Sequence, residues 1–337
     1  MMEKGQLISK YRSALMGLSA LLIVVFHFTE DCYIYHKHME GWVYWFWNYI
    51  GSSSVDAFLF LSGCGLYYAM KKNPDVGRFY RRRLARLLIP YVLIALPSWV
   101  VYDLVLNKTS IWKLCKDVTF LSFFNGGVRW YWYVGLMLVC YLIYPYVFSI
   151  VDSARDAWDG EIRLLTMVSA FTVLAVLLEL YEKRIFNMTN IALLRVPVFL
   201  AGCFYGRSSY EKRSSDWKWG ILMAVSVIFL MMLPSPSPII SRYTTGAFNV
   251  CCCAAIAWIF SRIPFKWPIA VLNWFGERSL DLYLVHVTIR KFMRYAGYLT
   301  CEYRYELILV AASVVAVWLF HIVVQKLSGI LAVTVHR

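Results

Sequence analysis

Long apolar runs alternate with short polar, basic segments along the whole chain. Ten runs stand out, at about 12–29, 51–70, 84–106, 130–150, 164–181, 191–206, 219–233, 244–260, 279–297 and 305–325. A helix needs about 20 apolar residues to cross the hydrocarbon layer of a bilayer. In lipid every backbone N–H and C=O must find its partner within the protein, which leaves helices or closed barrels. The runs are too long and too continuous for barrel strands. The pattern therefore predicts an all-α, polytopic membrane protein with about ten transmembrane helices. The seventh run is short and is ended by Pro234, Pro236 and Pro238, and the ninth carries Arg290, Lys291 and Arg294 in its last turns. The first run lacks a small-residue cleavage site and is followed by further apolar chain, so it reads as a span rather than a cleaved leader.

Composition agrees with this reading. Of 337 residues, 60% are hydrophobic and 16% charged, with a mean hydropathy of +0.57. An ordinary globular domain is about 45–50% apolar and roughly 25% charged. A soluble enzyme, a disordered chain and a collagen-like chain are poor fits. The net charge of +14 raises nucleic acid as a partner, but the basic residues sit in short runs between apolar stretches, as at the cytoplasmic rim of a membrane protein. With the N-terminus inside, 21 basic residues fall on inner segments and 12 on outer ones, and Arg195 lies within a helix. An even number of spans then puts both termini in the cytoplasm. The expectation is a multi-pass protein of the plasma or inner membrane, with lipids rather than nucleic acid as neighbours. Residues 1–337 read as a single membrane-embedded domain, without a soluble domain, a long linker or a clear internal repeat. The missing repeat weakens a transporter built from inverted repeats. None of the nine cysteines forms a CxxC pair, and most lie in apolar runs as small hydrophobes. Cys32, Cys115 and Cys301 fall in predicted outer loops, where a disulfide is one option. No metal and no tightly bound cofactor are expected.

Ionisable residues at membrane depth are costly and default to functional candidates. Here they are His27, Asp56, Glu179, Arg195, His286 and His321. His27 lies near the outer end of the first helix and Asp56 near the outer start of the second, so the two arrive at similar depth. A carboxylate beside an imidazole fixes its tautomer and raises its basicity, as a general base requires. The same pair also serves as a packing staple between helices. Arg195 either pairs with Glu179 or stabilises an oxyanion or a sugar hydroxyl. His286 and His321 are each open to a packing role. Arg81, Arg82, Arg83 and Arg86 open the third helix from the inner side. Such a run anchors the chain to anionic lipid or, beside the free N–H groups of a helix N-terminus, holds phosphate. The stretch Trp130 to Tyr133, with Trp132 at its centre, reads as part of an interfacial aromatic belt, and its rings are also suited to stack on sugar faces.

These motifs resemble the membrane acyltransferase family usually called acyltransferase-3. In chain order they are Ala14-Leu15-Met16-Gly17-Leu18 to Phe26-His27, Ser54-Val55-Asp56-Ala57-Phe58-Leu59-Phe60-Leu61-Ser62-Gly63, the Phe79 to Arg86 run with Pro90-Tyr91, and Trp132-Tyr133-Val134 leading to Tyr141 and Pro145. Then come Arg195-Val196-Pro197-Val198-Phe199 with Gly202 and Gly206, and Gly276-Glu277-Arg278-Ser279-Leu280 to Tyr283-Leu284-Val285-His286. The resemblance covers nearly the whole chain and implies ten core helices. It implies an O-acyltransferase that moves an acyl group, commonly acetyl, from cytoplasmic acyl-CoA as co-substrate to a hydroxyl of a surface, envelope or lipid-linked glycan. His27 matches the family's histidine. Met16 stands where the family carries an arginine, and the nearest candidate is Arg12, one helical turn earlier.

The implied catalytic set is His27, Asp56 and Arg12, with Arg81, Arg82, Arg83 and Arg86 on the coenzyme's phosphates and Arg195, Trp132 and His286 toward the acceptor. His27 takes a proton from the acceptor hydroxyl or is itself acylated. A transporter or flippase for a lipid-linked or acidic solute is the alternative, and an assembly subunit without the chemistry is a third reading.

Overall fold

The computed structural model describes residues 7–49, 54–212, 216–232 and 237–334. The regular elements among these residues are all helical. They are α1 (Leu7–Lys10), α2 (Arg12–Ile34), α3 (Trp42–Tyr49), α4 (Ser54–Lys72), α5 (Val76–Trp99, continued by a π-helical stretch over Val100–Leu106), α6 (Ile111–Val118), α7 (Leu121–Gly126) and α8 (Trp132–Asp152). There follow α9 (Ala157–Tyr181), α10 (Lys183–Leu193), α11 (Val196–Tyr210), α12 (Asp216–Met232), α13 (Pro238–Arg262), α14 (Trp267–Glu277), α15 (Ser279–Tyr295) and α16 (Tyr303–Thr334).

Each of the ten predicted segments falls mainly on helix over its described residues, and Gly51, Ser52, Ser53 and Leu233 lie outside the described residues. Seven helices among the described residues are long and apolar enough to cross a membrane. The other three predicted spans fall short for visible reasons. Helix α4 mixes small and polar residues into its 19 positions. Helix α12 has 17 residues, and α15 has 17 with Arg290, Lys291 and Arg294 among them. Pro234 and Pro236 lie outside the described residues, while Pro238 opens α13, where Ser237 caps the helix by accepting from the Ile240 N–H at 3.3 Å.

The chain divides into two compact units. Unit 1 takes Met1–Ser19, Ser53–Phe79 and Val139–Glu277, and unit 2 takes Ala20–Ser52, Tyr80–Leu138 and Arg278–Arg337. Within unit 1, α4 and α11 approach backbone to backbone. A Cβ on Gly63 would fall 2.4 Å from the Phe199 carbonyl oxygen, and one on Gly202 would fall 2.1 Å from that of Phe60. Glycine at both positions is what permits this approach. Leu15, Phe60, Leu61, Val198, Val250 and Ala257 form the adjoining apolar core.

Within unit 2, α15 is tied to the segment before α8. The Trp130 indole N–H donates to the Val287 carbonyl at 3.3 Å, Tyr131 and Thr288 hydroxyls lie 2.6 Å apart, and the Tyr283 hydroxyl donates to the Trp130 carbonyl at 3.3 Å. Cys32, Cys115 and Cys301 all carry free thiols, and the Cys32 thiol donates to the Cys301 carbonyl at 3.8 Å.

Candidate active site

A dense polar constellation lies in unit 2. Helix α2 runs on to Ile34, beyond the segment end predicted near residue 29, so Glu30 and Asp31 follow His27 on the next turn. Helix α15 likewise places Arg290 one turn after His286, and Arg294 one turn further on. The His27 and His286 rings stack with centroids 5.2 Å apart and planes 7° from parallel. His286 is buried, at 1% exposure. His27 is half-buried, with its Nδ1 shielded. Neither His27 Nδ1 nor His286 Nε2 has a hydrogen-bond partner among the described residues.

One turn beyond this pair sits a buried charge cluster. Arg290 donates from Nε to Asp31 Oδ2 at 2.8 Å and from Nη2 to Asp31 Oδ1 at 2.6 Å, and Nη2 also reaches Glu30 Oε2 at 2.8 Å. Arg294 Nη1 lies 3.3 Å from Asp31 Oδ1, and the Thr300 hydroxyl donates to Asp31 Oδ2. Such a charge is tolerable away from water only when it is paired and hydrogen-bonded, and here both oxygens of Asp31 are engaged. Glu30 and Asp31 escaped the sequence reading because the first segment was ended too early. The usable signal was their spacing, three and four residues after His27.

Asp56 and Arg195 meet in unit 1. Arg195 Nε lies 3.0 Å from Asp56 Oδ1, and Arg242 Nη1 lies 4.0 Å from Oδ2. Asp56 is fully buried and Arg195 is 2% exposed. Arg195 stands at the break between α10 and α11, just ahead of Pro197, and its Nη1 also donates to the Ile191 carbonyl at 2.5 Å. The sequence offered Glu179 as one partner for Arg195, with oxyanion or sugar contact as the other reading, and set Asp56 at similar depth to His27. The described ion pair of Arg195 is with Asp56, while His27 belongs to the other unit and stacks there on His286. Arg12 packs over Gly65, where a Cβ would fall 2.2 Å from its Nη1, so that glycine makes room for the guanidinium. Met16 is half-buried against the unit 1 core.

Helix α5 begins at Val76, and its Arg78 N–H donates to Asp75 Oδ1 at 2.9 Å. Arg81, Arg82, Arg83 and Arg86 thus lie one turn or more inside the helix rather than at its free N–H groups, which corrects the helix-terminus part of the phosphate argument. Arg81, Arg82 and Arg86 are exposed and Arg83 is half-buried. Trp132 is half-buried and meets Tyr133 edge-on, with centroids 6.3 Å apart. His321, which had no motif around it, has partners in space. Its Nδ1 lies 2.6 Å from Asp281 Oδ2, and its Nε2 lies 3.0 Å from Gln325 Nε2.

A family model described as "Acyltransferase domain" matches residues 14–323. No curated protein and no solved structure matches the chain. The matched span includes both His27 with His286 and Asp56 with Arg195.

Proposed function

Because the chain belongs to the acyltransferase-3 family of membrane acyltransferases, we propose that it moves an acetyl group from cytoplasmic acetyl-CoA to a hydroxyl of a surface or envelope glycan. The observation that carries this reading is the pair of stacked imidazoles in unit 2, each with a shielded nitrogen that lacks a partner among the described residues. A buried polar atom without a partner costs stability. Its persistence within apolar helices is accounted for by work done on a substrate.

In this proposal the exposed guanidinium groups of Arg81, Arg82 and Arg86, with Arg83 beside them, attract the coenzyme's phosphates. The thioester is presented to unit 2. His27 is the reacting imidazole, the group that meets the thioester and carries the acyl. The buried Asp56–Arg195 pair serves to fix α4 against the start of α11. Trp132 remains a candidate platform for a sugar face.

The test is the acetyl content of envelope glycans, measured by mass spectrometry in a strain lacking the gene and in the same strain carrying it again. Loss and return of one acetyl ester supports the reading and identifies the acceptor. Identical glycans in both strains, with the protein present in the second, contradict it.

A further inference from the structure

Two imidazoles share the unit 2 site, and a serine on α16 distinguishes them. A hydroxyl has one proton to donate. Ser313 Oγ gives its proton to the Leu309 carbonyl, one turn back, at 2.6 Å. The same oxygen lies 3.4 Å from His286 Nδ1, and toward that nitrogen it has only lone pairs left. This arrangement favours the tautomer in which His286 Nδ1 carries the ring hydrogen and donates it to Ser313. In a neutral imidazole the other nitrogen is then a bare acceptor. That nitrogen is Nε2, the shielded atom without a partner among the described residues. The charged and titratable groups around it are His27 on α2, Arg290 on α15 and Asp31 on α2. Arg290 is already matched by Asp31 and Glu30.

We propose that His286 is the general base of the acyl transfer, with Nε2 taking the proton of the acceptor hydroxyl and Ser313 acting as the positioning residue that keeps Nε2 free. The inference rests on the acyltransferase reading above. His27 takes the acyl group first: its ring nitrogen bonds to the acyl carbon as the bond from that carbon to the coenzyme's sulfur breaks, and the departing thiolate takes the His27 ring proton. The acceptor hydroxyl oxygen then bonds to the acyl carbon as the carbon–nitrogen bond breaks, and its proton passes through His286 Nε2 to the His27 nitrogen. The products are an ester and a thiol, and both imidazoles end neutral. The fixed lone pair is what a base needs, because an imidazole free to exchange tautomers presents its acceptor nitrogen only part of the time.

The experiment uses native membranes holding the full chain, with radiolabelled acetyl-CoA as the probe and label in base-labile ester as the readout, over a range of pH. His286→Ala is expected to lose roughly 100-fold or more of the transfer rate, within the range of a lost general base, and to regain part of it when imidazole is added. Ser313→Ala is expected to lower kcat by about ten-fold and to shift the pH–rate profile, leaving the KM for acetyl-CoA unchanged. Ser313→Thr, which keeps the hydroxyl, is expected to stay near the wild-type rate. Half or more of the rate in His286→Ala, with His27→Ala inactive, overturns the role of His286 and leaves the acyltransferase reading standing. Wild-type label incorporation in both histidine variants overturns the roles of both histidines, and equal label in membranes from a strain lacking the gene overturns the acyltransferase reading as well. An inactive His286→Ala without imidazole rescue, together with an unshifted pH profile in Ser313→Ala, assigns these residues to packing and also overturns the proposal.

Discussion

Asp31 on α2 grips Arg290 on α15 at two points, Oδ2 to Nε at 2.8 Å and Oδ1 to Nη2 at 2.6 Å. Asp31 follows His27 by one turn, and Arg290 follows His286 by one turn. The clamp and the stacked rings therefore report one register between two helices running in the same direction. Removing one partner of a buried ion pair leaves the other charged and unpaired. Arg290→Met is expected to cost about 3–5 kcal/mol, read as a lower melting temperature in detergent. Adding Asp31→Asn to it should recover part of the loss, since the two changes share one interaction. An unchanged melting temperature in Arg290→Met would show that the clamp holds nothing.

The α4–α11 crossing is set by backbone contact. Gly63→Ala and Gly202→Ala each drive a methyl group into a carbonyl oxygen of the facing helix, which cannot swing aside as a side chain would. Each is expected to destabilise unit 1 by about 1–3 kcal/mol, and the double variant by less than the sum, because the first separation relieves the second clash. Additive losses in thermal unfolding would mean that the two glycines act separately.

Much of this architecture was legible in the sequence. The apolar runs gave the helices because lipid allows the backbone few alternatives, and the ordered motifs carried the family. His27 stood out as an ionisable residue in an apolar run. What stayed hidden depends on contacts between distant stretches. Nothing near Asp56 points to Arg195, and nothing in the apolar run around Ser313 marks it as the partner of His286. Asp31 and Arg290 were hidden differently. Asp31 lies beyond the predicted end of the first run near residue 29, and Arg290 lies inside the ninth run, where it read only as a basic residue of the last turns, although their spacing of four residues from His27 and His286 was on view.

The exposed arginines of α5 offer a separate check on the coenzyme. Each exposed charge is worth about 1 kcal/mol or less. Replacing Arg81, Arg82 and Arg86 together by Gln is expected to raise the KM for acetyl-CoA several-fold and to change kcat little. The wild-type KM should itself climb with added salt, as screening weakens exposed charges. A KM untouched by all three substitutions would remove these residues from the coenzyme's path.

Cysteine chemistry tests the topology. Cys115 is exposed and Cys301 is buried, and burial pushes the Cys301 thiol above its ordinary value. The thiolate is the reactive form, so a raised value leaves less of it at neutral pH. A membrane-impermeant maleimide added to intact cells is expected to label Cys115 and to spare Cys301. Cys115→Ser should abolish the signal. Labelling of Cys115 only after the cells are opened would reverse the proposed orientation, in which both termini face the cytoplasm.

The most direct measurement is acyl transfer by His27→Ala in membranes that hold the protein at wild-type abundance. Transfer of label from acetyl-CoA to envelope glycan is predicted to fall by about 100-fold or more, while binding of acetyl-CoA is retained. Transfer at the wild-type rate would contradict the assignment of the reacting imidazole to His27.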